Sequence, residues 1–141
     1  MIELFLIAQV AGRGVAIEGS LVDSVVDIGA ITPVPRTVSA VRGLAALRSR
    51  VVTVIDTRAA LGLDPTAVAR RAVVALIDGH HYAFLVDALE DIAPHARLAS
   101  ISGATLGRGW GGDAGLIERD GEALPIIDLA ALVPGGLAEA A

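Results

Sequence analysis

The sequence predicts an all-β protein made of two related halves, and three observations carry that expectation. Short runs rich in Val, Ile and Leu alternate with turn residues at intervals of about 8 to 12 positions, the spacing of small barrels or a sandwich. Asp78-Gly79 and Asp120-Gly121 each separate two such runs, and Asp-Gly suits a tight hairpin because both central residues need positive φ. The stretch Leu21–Ile28 returns 64 positions later as Leu85–Ile92 with five identities, and Val54-Ile55-Asp56-Thr57 is echoed by Ile126-Ile127-Asp128-Leu129. Two such units bury together what neither buries alone, which directs attention to their seam. No linker-like stretch divides them, so the 141 residues are expected to form one domain with pseudo-repeat halves at about 1–66 and 67–136.

The elements follow in order. Met1 to Val10, a turn at Gly12-Arg13-Gly14 and Val15-Ala16-Ile17 read as a hairpin, and Leu21 to Ile28 as a third strand. Thr32-Pro33-Val34-Pro35 breaks regular structure, because each proline fixes φ and lacks a donor. Arg36 to Val41 suits a single helical turn; Gly43 to Leu47 and Val51 to Ile55 then pair around Arg48-Ser49-Arg50. Asp56 caps a short helix through Leu61 that Gly62 ends. The second half repeats the plan with a strand from Ala72 to Ile77, a turn at Asp78-Gly79, a strand from His81 to Val86 and the repeated strand to Ile92. A Gly- and Ser-rich loop spans Ala99 to Gly112, Ala114 to Glu118 pairs with Glu122 to Ile127, Asp128 caps a helical stretch to Leu132, and Pro134-Gly135-Gly136 ends the ordered chain.

Composition narrows the function. Hydrophobic residues make up 54% of the chain and aromatic ones only 3%, so the core must come from Val, Ile, Leu and Ala, and disorder is excluded. A net charge of -5 argues against nucleic acid, whose phosphates call for clustered Lys or Arg. With no cysteine, disulfides, thiolate metal sites and Cys nucleophiles are excluded. Met1-Ile2-Glu3 lacks the layout of a signal peptide, and apolar runs fall far short of the about 18 residues that a spanning helix needs, so a cytoplasmic protein with no direct membrane insertion is expected.

Candidate chemistry is thin. The duplicated Asp56 and Asp128 suggest the paired carboxylates of an aspartic protease, but the tripeptides Asp56-Thr57-Arg58 and Asp128-Leu129-Ala130 lack the glycine that the catalytic turn requires, which favours helix caps. His80, His81 and His95 lack the spacing of a metal pair and read as exposed turn residues. Gly107-Arg108-Gly109-Trp110-Gly111-Gly112 follows no strand and opens no helix, so it reads as a flexible loop, with Trp110 against an apolar face or a partner. Without a Gly-x-Ser-x-Gly elbow or a local triad, nothing demands catalysis, and no cofactor is expected.

One stretch is more specific. Ile31-Thr32-Pro33-Val34-Pro35, Val41-Arg42-Gly43-Leu44, Leu47-Arg48-Ser49 and Val51-Val52-Thr53-Val54-Ile55-Asp56-Thr57-Arg58, with Leu61-Gly62, resemble the signature of the CheW-like family, and the resemblance runs from about Leu4 to Leu132. It implies two packed five-stranded SH3-like β-barrel subdomains with short helical turns. It also implies a non-catalytic adaptor coupling the cytoplasmic tip of a methyl-accepting chemoreceptor to the regulatory domain of a CheA-type histidine kinase, with recruitment to membrane receptor arrays. A divergent scaffold or competitor in another signalling or motility system is the alternative. The resemblance places partner binding at Val22, Ser24, Val41, Gly43, Leu47, Arg48 and Ser49.

Residue types suit that role, since Val and Leu supply burial worth about 25 cal/mol per Å2, a glycine lets a partner backbone approach, and an Arg at the rim fixes orientation. Three positions depart from the family. Ser49 stands where a glycine is usual, so a side chain there is expected to strain a positive-φ turn by about 1 kcal/mol. Thr53 replaces a proline, and Ser24 replaces the glutamate that pairs with the motif arginine. Strict alternation sets Val22, Ser24 and Val26 on one strand face and Asp23 and Asp27 on the other, so neither Asp is expected to substitute.

Overall fold

The computed structural model describes residues 2–34, 40–63, 70–98 and 115–133. Strands β1 (Ile2–Val10) and β2 (Arg13–Glu18) form the expected first hairpin, and a 3-10 turn at Gly19–Leu21 leads into β3 (Val22–Asp27). Strands β4 (Val41–Leu47) and β5 (Arg50–Asp56) form the second hairpin, followed by helix α1 (Thr57–Ala60). The second half supplies β6 (Arg71–Ile77), β7 (His80–Leu85), β8 (Ala88–Ala96), β9 (Leu116–Arg119), β10 (Glu122–Pro125) and helix α2 (Leu129–Leu132). Val41, expected at the end of a helical turn, opens β4 instead. Within that expected turn, Arg36 to Ser39 lie outside the described residues, as do the Gly-rich loop with Trp110 and the Pro134-Gly135-Gly136 ending.

Strand pairing does not follow the two halves. One sheet runs β3-β6-β7-β5-β4, so the hairpin of the second half completes the strands of the first. The other runs β2-β1-β8, and parallel pairing of Ala16 with Ile126 adds the β9–β10 hairpin to it. Each half has thus lent its first hairpin to the other. The pairings correspond one to one: Val54 lies beside Ala83 in the first barrel as Ile126 lies beside Ala16 in the second.

Hydrophobic placement explains the exchange. From β1, Phe5 and Ile7 point into the second barrel with Ala16, Ile117, Leu124 and Ile126, while Leu6, Ala8 and Val10 point out to the seam. From β6 and β7, Ala72, Val74, Ala83 and Leu85 fill the first barrel with Val52 and Val54, while Val73, Ala75, Tyr82 and Phe84 face the seam. A strand buried on both faces reads as a continuous apolar run, as the sequences LFLIAQV and AVVALI do. Both lent hairpins therefore form the centre of the molecule, and the seam between them is packed with side chains.

The same pairings revise the sequence repeat. Turn Ala11-Gly12 corresponds to Asp78-Gly79, and Val22, paired with Ala75, corresponds to Leu89, paired with Ala8, an offset of 67 rather than 64. The echo of Leu21–Ile28 in Leu85–Ile92 is thus a sequence likeness three residues out of structural register. The Ile-Asp echo is in register: Asp56 and Asp128 each cap a helix, accepting from Ala59 N at 3.2 Å and Ala131 N at 3.4 Å. Helix capping, rather than paired carboxylate chemistry, is what these residues do.

Each barrel is closed by a reciprocal backbone pair. Thr32 N donates to Leu44 O at 2.8 Å and Leu44 N to Thr32 O at 2.9 Å, joining the chain beyond β3 to β4. Leu98 and Leu116 do the same at 2.7 and 2.9 Å, joining the chain beyond β8 to β9. A glycine precedes the second partner in both places. A Cβ on Gly43 (φ 143°) would lie 2.1 Å from Thr32 O, and one on Gly115 (φ 88°) would lie 2.4 Å from Leu98 O. Gly43 is therefore required by the protein's own backbone, a reason for the glycine that the sequence alone does not reveal.

Arg97 fastens the second closure. Its guanidinium bonds Glu3 at 3.0 and 3.2 Å and Glu18 at 2.7 Å, and stands 5.7 Å from the Phe5 ring centre, lacing β1 and β2 to the end of β8. The hydrogen bond from Arg97 holds the Glu3 carboxyl below its ordinary 4.5. A carboxyl depressed in the folded state contributes stability that is present above the unfolded value and lost as pH falls through the folded one.

Two outcomes follow. Gly43→Ala and Gly115→Ala should each lower unfolding free energy in urea by about 3 kcal/mol, against about 1 kcal/mol for Gly12→Ala, where the space is open; equal losses would contradict the closure. Stability should decline as pH drops below 4.5, and Glu3→Gln should flatten that decline in urea titrations repeated across the acid range.

Candidate functional site

The β4–β5 turn is the most irregular of the four tight turns. In the other three, a left-handed residue (Ala11, Asp78 or Asp120, φ 50–54°) is followed by a left-handed glycine. Here Arg48 has φ 56° and is followed by Ser49, which is outside the left-handed region. The strain expected at Ser49 thus falls on Arg48, a long side chain held where non-glycine residues are uncommon.

Beside this turn runs β3, whose register against β6 slips between Val22 and Ser24. That bulge makes Asp23 the extra residue and breaks the alternation read from sequence. Asp23 consequently lines the same groove as Ser24 and Val26, with Leu47, Arg48 and Ser49 on the opposite wall and Val74 and Arg50 alongside. The groove has a volume of about 530 Å3. Of the sequence-predicted residues, it brings together Ser24, Leu47, Arg48 and Ser49.

Arg48 has a distinctive electrostatic position. Arg50, two residues on, donates to His81 Nε2. Arg58 grips Asp87 at 2.7 and 3.2 Å, Arg71 pairs with Asp27 at 2.8 Å, Arg119 with Glu90 at 3.0 Å, and Arg42 lies 3.7 Å from the buried Asp56. Among the described residues, Arg48 forms no hydrogen bond or ion pair. With Ser24 and Ser49 hydroxyls nearby and Val26, Leu47 and Val74 beneath, the groove can receive a carboxylate with an apolar neighbour.

The remaining predicted residues lie elsewhere. Val41 is buried in the core between the barrels, at 8% exposure, and Gly43 lies under Thr32. Val22 lines a separate groove of about 540 Å3 with Leu4, Leu6, Ile92, Gly19 and Ser20, where the packed seam reaches the surface. Leu4 and Ile92 are 58% and 63% exposed there. Strand β3 links the two grooves, from Val22 to Ser24.

Sequence reasoning missed Leu4 and Ile92 because β1 is apolar on both faces, so alternation gives no hint of where burial stops. It missed Asp23 because a bulge leaves no composition signal. The expected exposed histidines divide: His80 is exposed, whereas His81 and His95 are half-buried in strands. Among the described residues no group of three or more His, Cys, Asp or Glu is placed to hold a metal ion, and no helix is long and apolar enough to cross a membrane.

Two interlocked barrels with open grooves on the outside define a small β domain. The family model for the CheW-like domain matches residues 4–136, and the chain belongs to that family. Among solved structures it is similar to the crystal structure of scaffolding protein TtCheW from Thermoanaerobacter tengcongensis, with 22% identity, a TM-score of 0.82, and coverage of 94% of this chain and 92% of that one. That likeness supports the fold. Compared with curated proteins, the chain finds no match.

Because its side chain is unpaired, Arg48→Ala should change thermal stability by less than about 0.5 kcal/mol, whereas Arg58→Ala, which strips a bidentate partner from Asp87, should cost about 1 kcal/mol or more. Differential scanning calorimetry checks the ranking, and the reverse order would make Arg48 a structural residue.

Proposed function

We propose that the protein is a chemosensory adaptor. It couples the cytoplasmic tip of a methyl-accepting chemoreceptor to the regulatory domain of a CheA-type histidine kinase by protein contacts alone, without a catalytic step, at the cytoplasmic face of receptor arrays. Membership of the CheW-like family supports the role in general. The observation that carries the site is the unpaired Arg48, held in left-handed backbone at the rim of an open groove.

Docking involves Ser24, Leu47, Arg48 and Ser49 directly, and Val22 through the adjoining apolar groove. Val41 and Gly43 act from beneath, one filling the core and the other setting the path of β4. Apolar walls supply burial without fixed direction, and the guanidinium orients the partner. Each contact need only be weak, because an array links many of them.

Titration of the purified chain with a CheA-type regulatory domain and with a receptor hairpin tip tests this reading. Binding of at least one with Kd of about 10 to 100 μM is expected, weakened about tenfold by Arg48→Ala. No complex with either partner at about 500 μM would overturn it.

A further inference from the structure

Strand order takes the chain from one barrel to the other at two connections, the 3-10 turn Gly19–Leu21 between β2 and β3 and the pair Val86-Asp87 between β7 and β8. The β1–β2 hairpin precedes the first of these, so a single turn joins it to everything that follows. All else that holds it is non-covalent. β1 pairs with β8 from Ile2 beside Ala96 to Gln9 beside Ala88, Ile127 N donates to Ala16 O at 2.8 Å, Ala11 N donates to Asp87 at 2.8 Å, and Arg97 grips Glu3 and Glu18. Phe5 and Ile7 fill the interior of the second barrel.

The turn itself contributes little. None of its three residues is buried, no side chain caps it, and its backbone bond runs only from Val22 N to Gly19 O. Glu18 and Val22, which flank it, have ψ of 121° and 116°, so straightening the turn alone lets β2 and β3 run on in one line. Its one close approach, where a Cβ on Gly19 would lie 2.9 Å from Leu4 O, is made to the hairpin.

We propose that two copies of this chain exchange their β1–β2 hairpins, each hairpin completing the second barrel of the other. The cleft that a departing hairpin leaves is lined by the partners of this sequence, so the exchanged dimer remakes every strand pairing, ion pair and core contact and gives up only the turn. The Val22 groove is then built from both copies: Leu4 and Leu6 come from one, Val22 and Ile92 from the other, and the straightened Gly19 and Ser20 leave its wall. The interlock fixes when this happens. Removing β1 opens the second barrel and the seam together, so a folded monomer does not exchange; the choice between own and foreign hairpin is made while chains fold and is then held by the barrier to unfolding. The proposal holds or fails independently of the adaptor reading, whose Arg48 groove lies in the first barrel and is the same in both forms.

A disulfide reports the exchange. The chain has no cysteine, and Ile2 and Ala96 are exposed and face each other on β1 and β8, so Ile2→Cys with Ala96→Cys forms one bond, within a chain in the monomer and between chains in the exchanged dimer. Refolding the full chain from urea at about 5 μM should give monomer, whereas at about 1 mM, where a second copy competes with the tethered hairpin, it should give a dimer that stays linked on a non-reducing denaturing gel. Diluted in buffer, that dimer should persist for hours, and folded monomer concentrated to about 1 mM should not convert. Deleting Ser20, which leaves the turn too short to reverse, should lower the concentration at which half the chains refold as dimer by about tenfold. The proposal is overturned by monomer alone after refolding at the higher concentration, by a dimer whose disulfides lie within each chain, or by a Ser20-deleted chain that folds and stays monomeric.

Discussion

Burial of the lent hairpins on both faces is the constraint on which the rest of this structure depends. β1 and β2 contribute to the interior of the second barrel and to the seam, and β6 and β7 do the same for the first. Neither half of the chain can complete a barrel without the other, because the central strands of each belong to the other half. The seam is filled by Leu6, Val73, Tyr82 and Phe84, and where it reaches the outer surface, beside Val22, it opens into a groove.

On this framework, local departures from regularity shape the candidate groove. The bulge at Asp23 brings a carboxylate round to the groove, and the two-residue turn holds Arg48 at φ 56°. The second barrel takes the same path with a glycine in the corresponding turn and carboxylates where the first has arginines. One backbone plan thereby presents opposite charge at two ends. Closure of the barrels is less tolerant of variation: both need a glycine where a carbonyl passes too close for any side chain.

Much of the fold was legible in sequence, for physical reasons that particular residues illustrate. Asp78-Gly79 and Asp120-Gly121 marked hairpins because positive φ at consecutive residues narrows the choice of residue types, and Asp56 and Asp128 marked helix starts because their carboxylates satisfy free backbone donors. The hairpin exchange was not legible, since an apolar run on β1 or β6 states that both faces are buried but not against which partner. The site was legible only in part. Ser24, Leu47, Arg48 and Ser49 do meet, but Val41 belongs to the core and Gly43 to the closure, because hydrophobic and small residues look alike in sequence whether they serve a surface or an interior. The bulge at Asp23 overrode the alternation that had set it on the far face.

Interlocking by exchanged hairpins is tested most directly by native-state hydrogen exchange. If the barrels are one cooperative unit, the amides of β1, β6 and β7 should all exchange with the same free energy, equal to that of global unfolding, and should respond alike to added denaturant. Exchange of β1 and β8 at a distinctly lower free energy than β6 and β7 would show the second barrel opening alone, and would contradict the interlock.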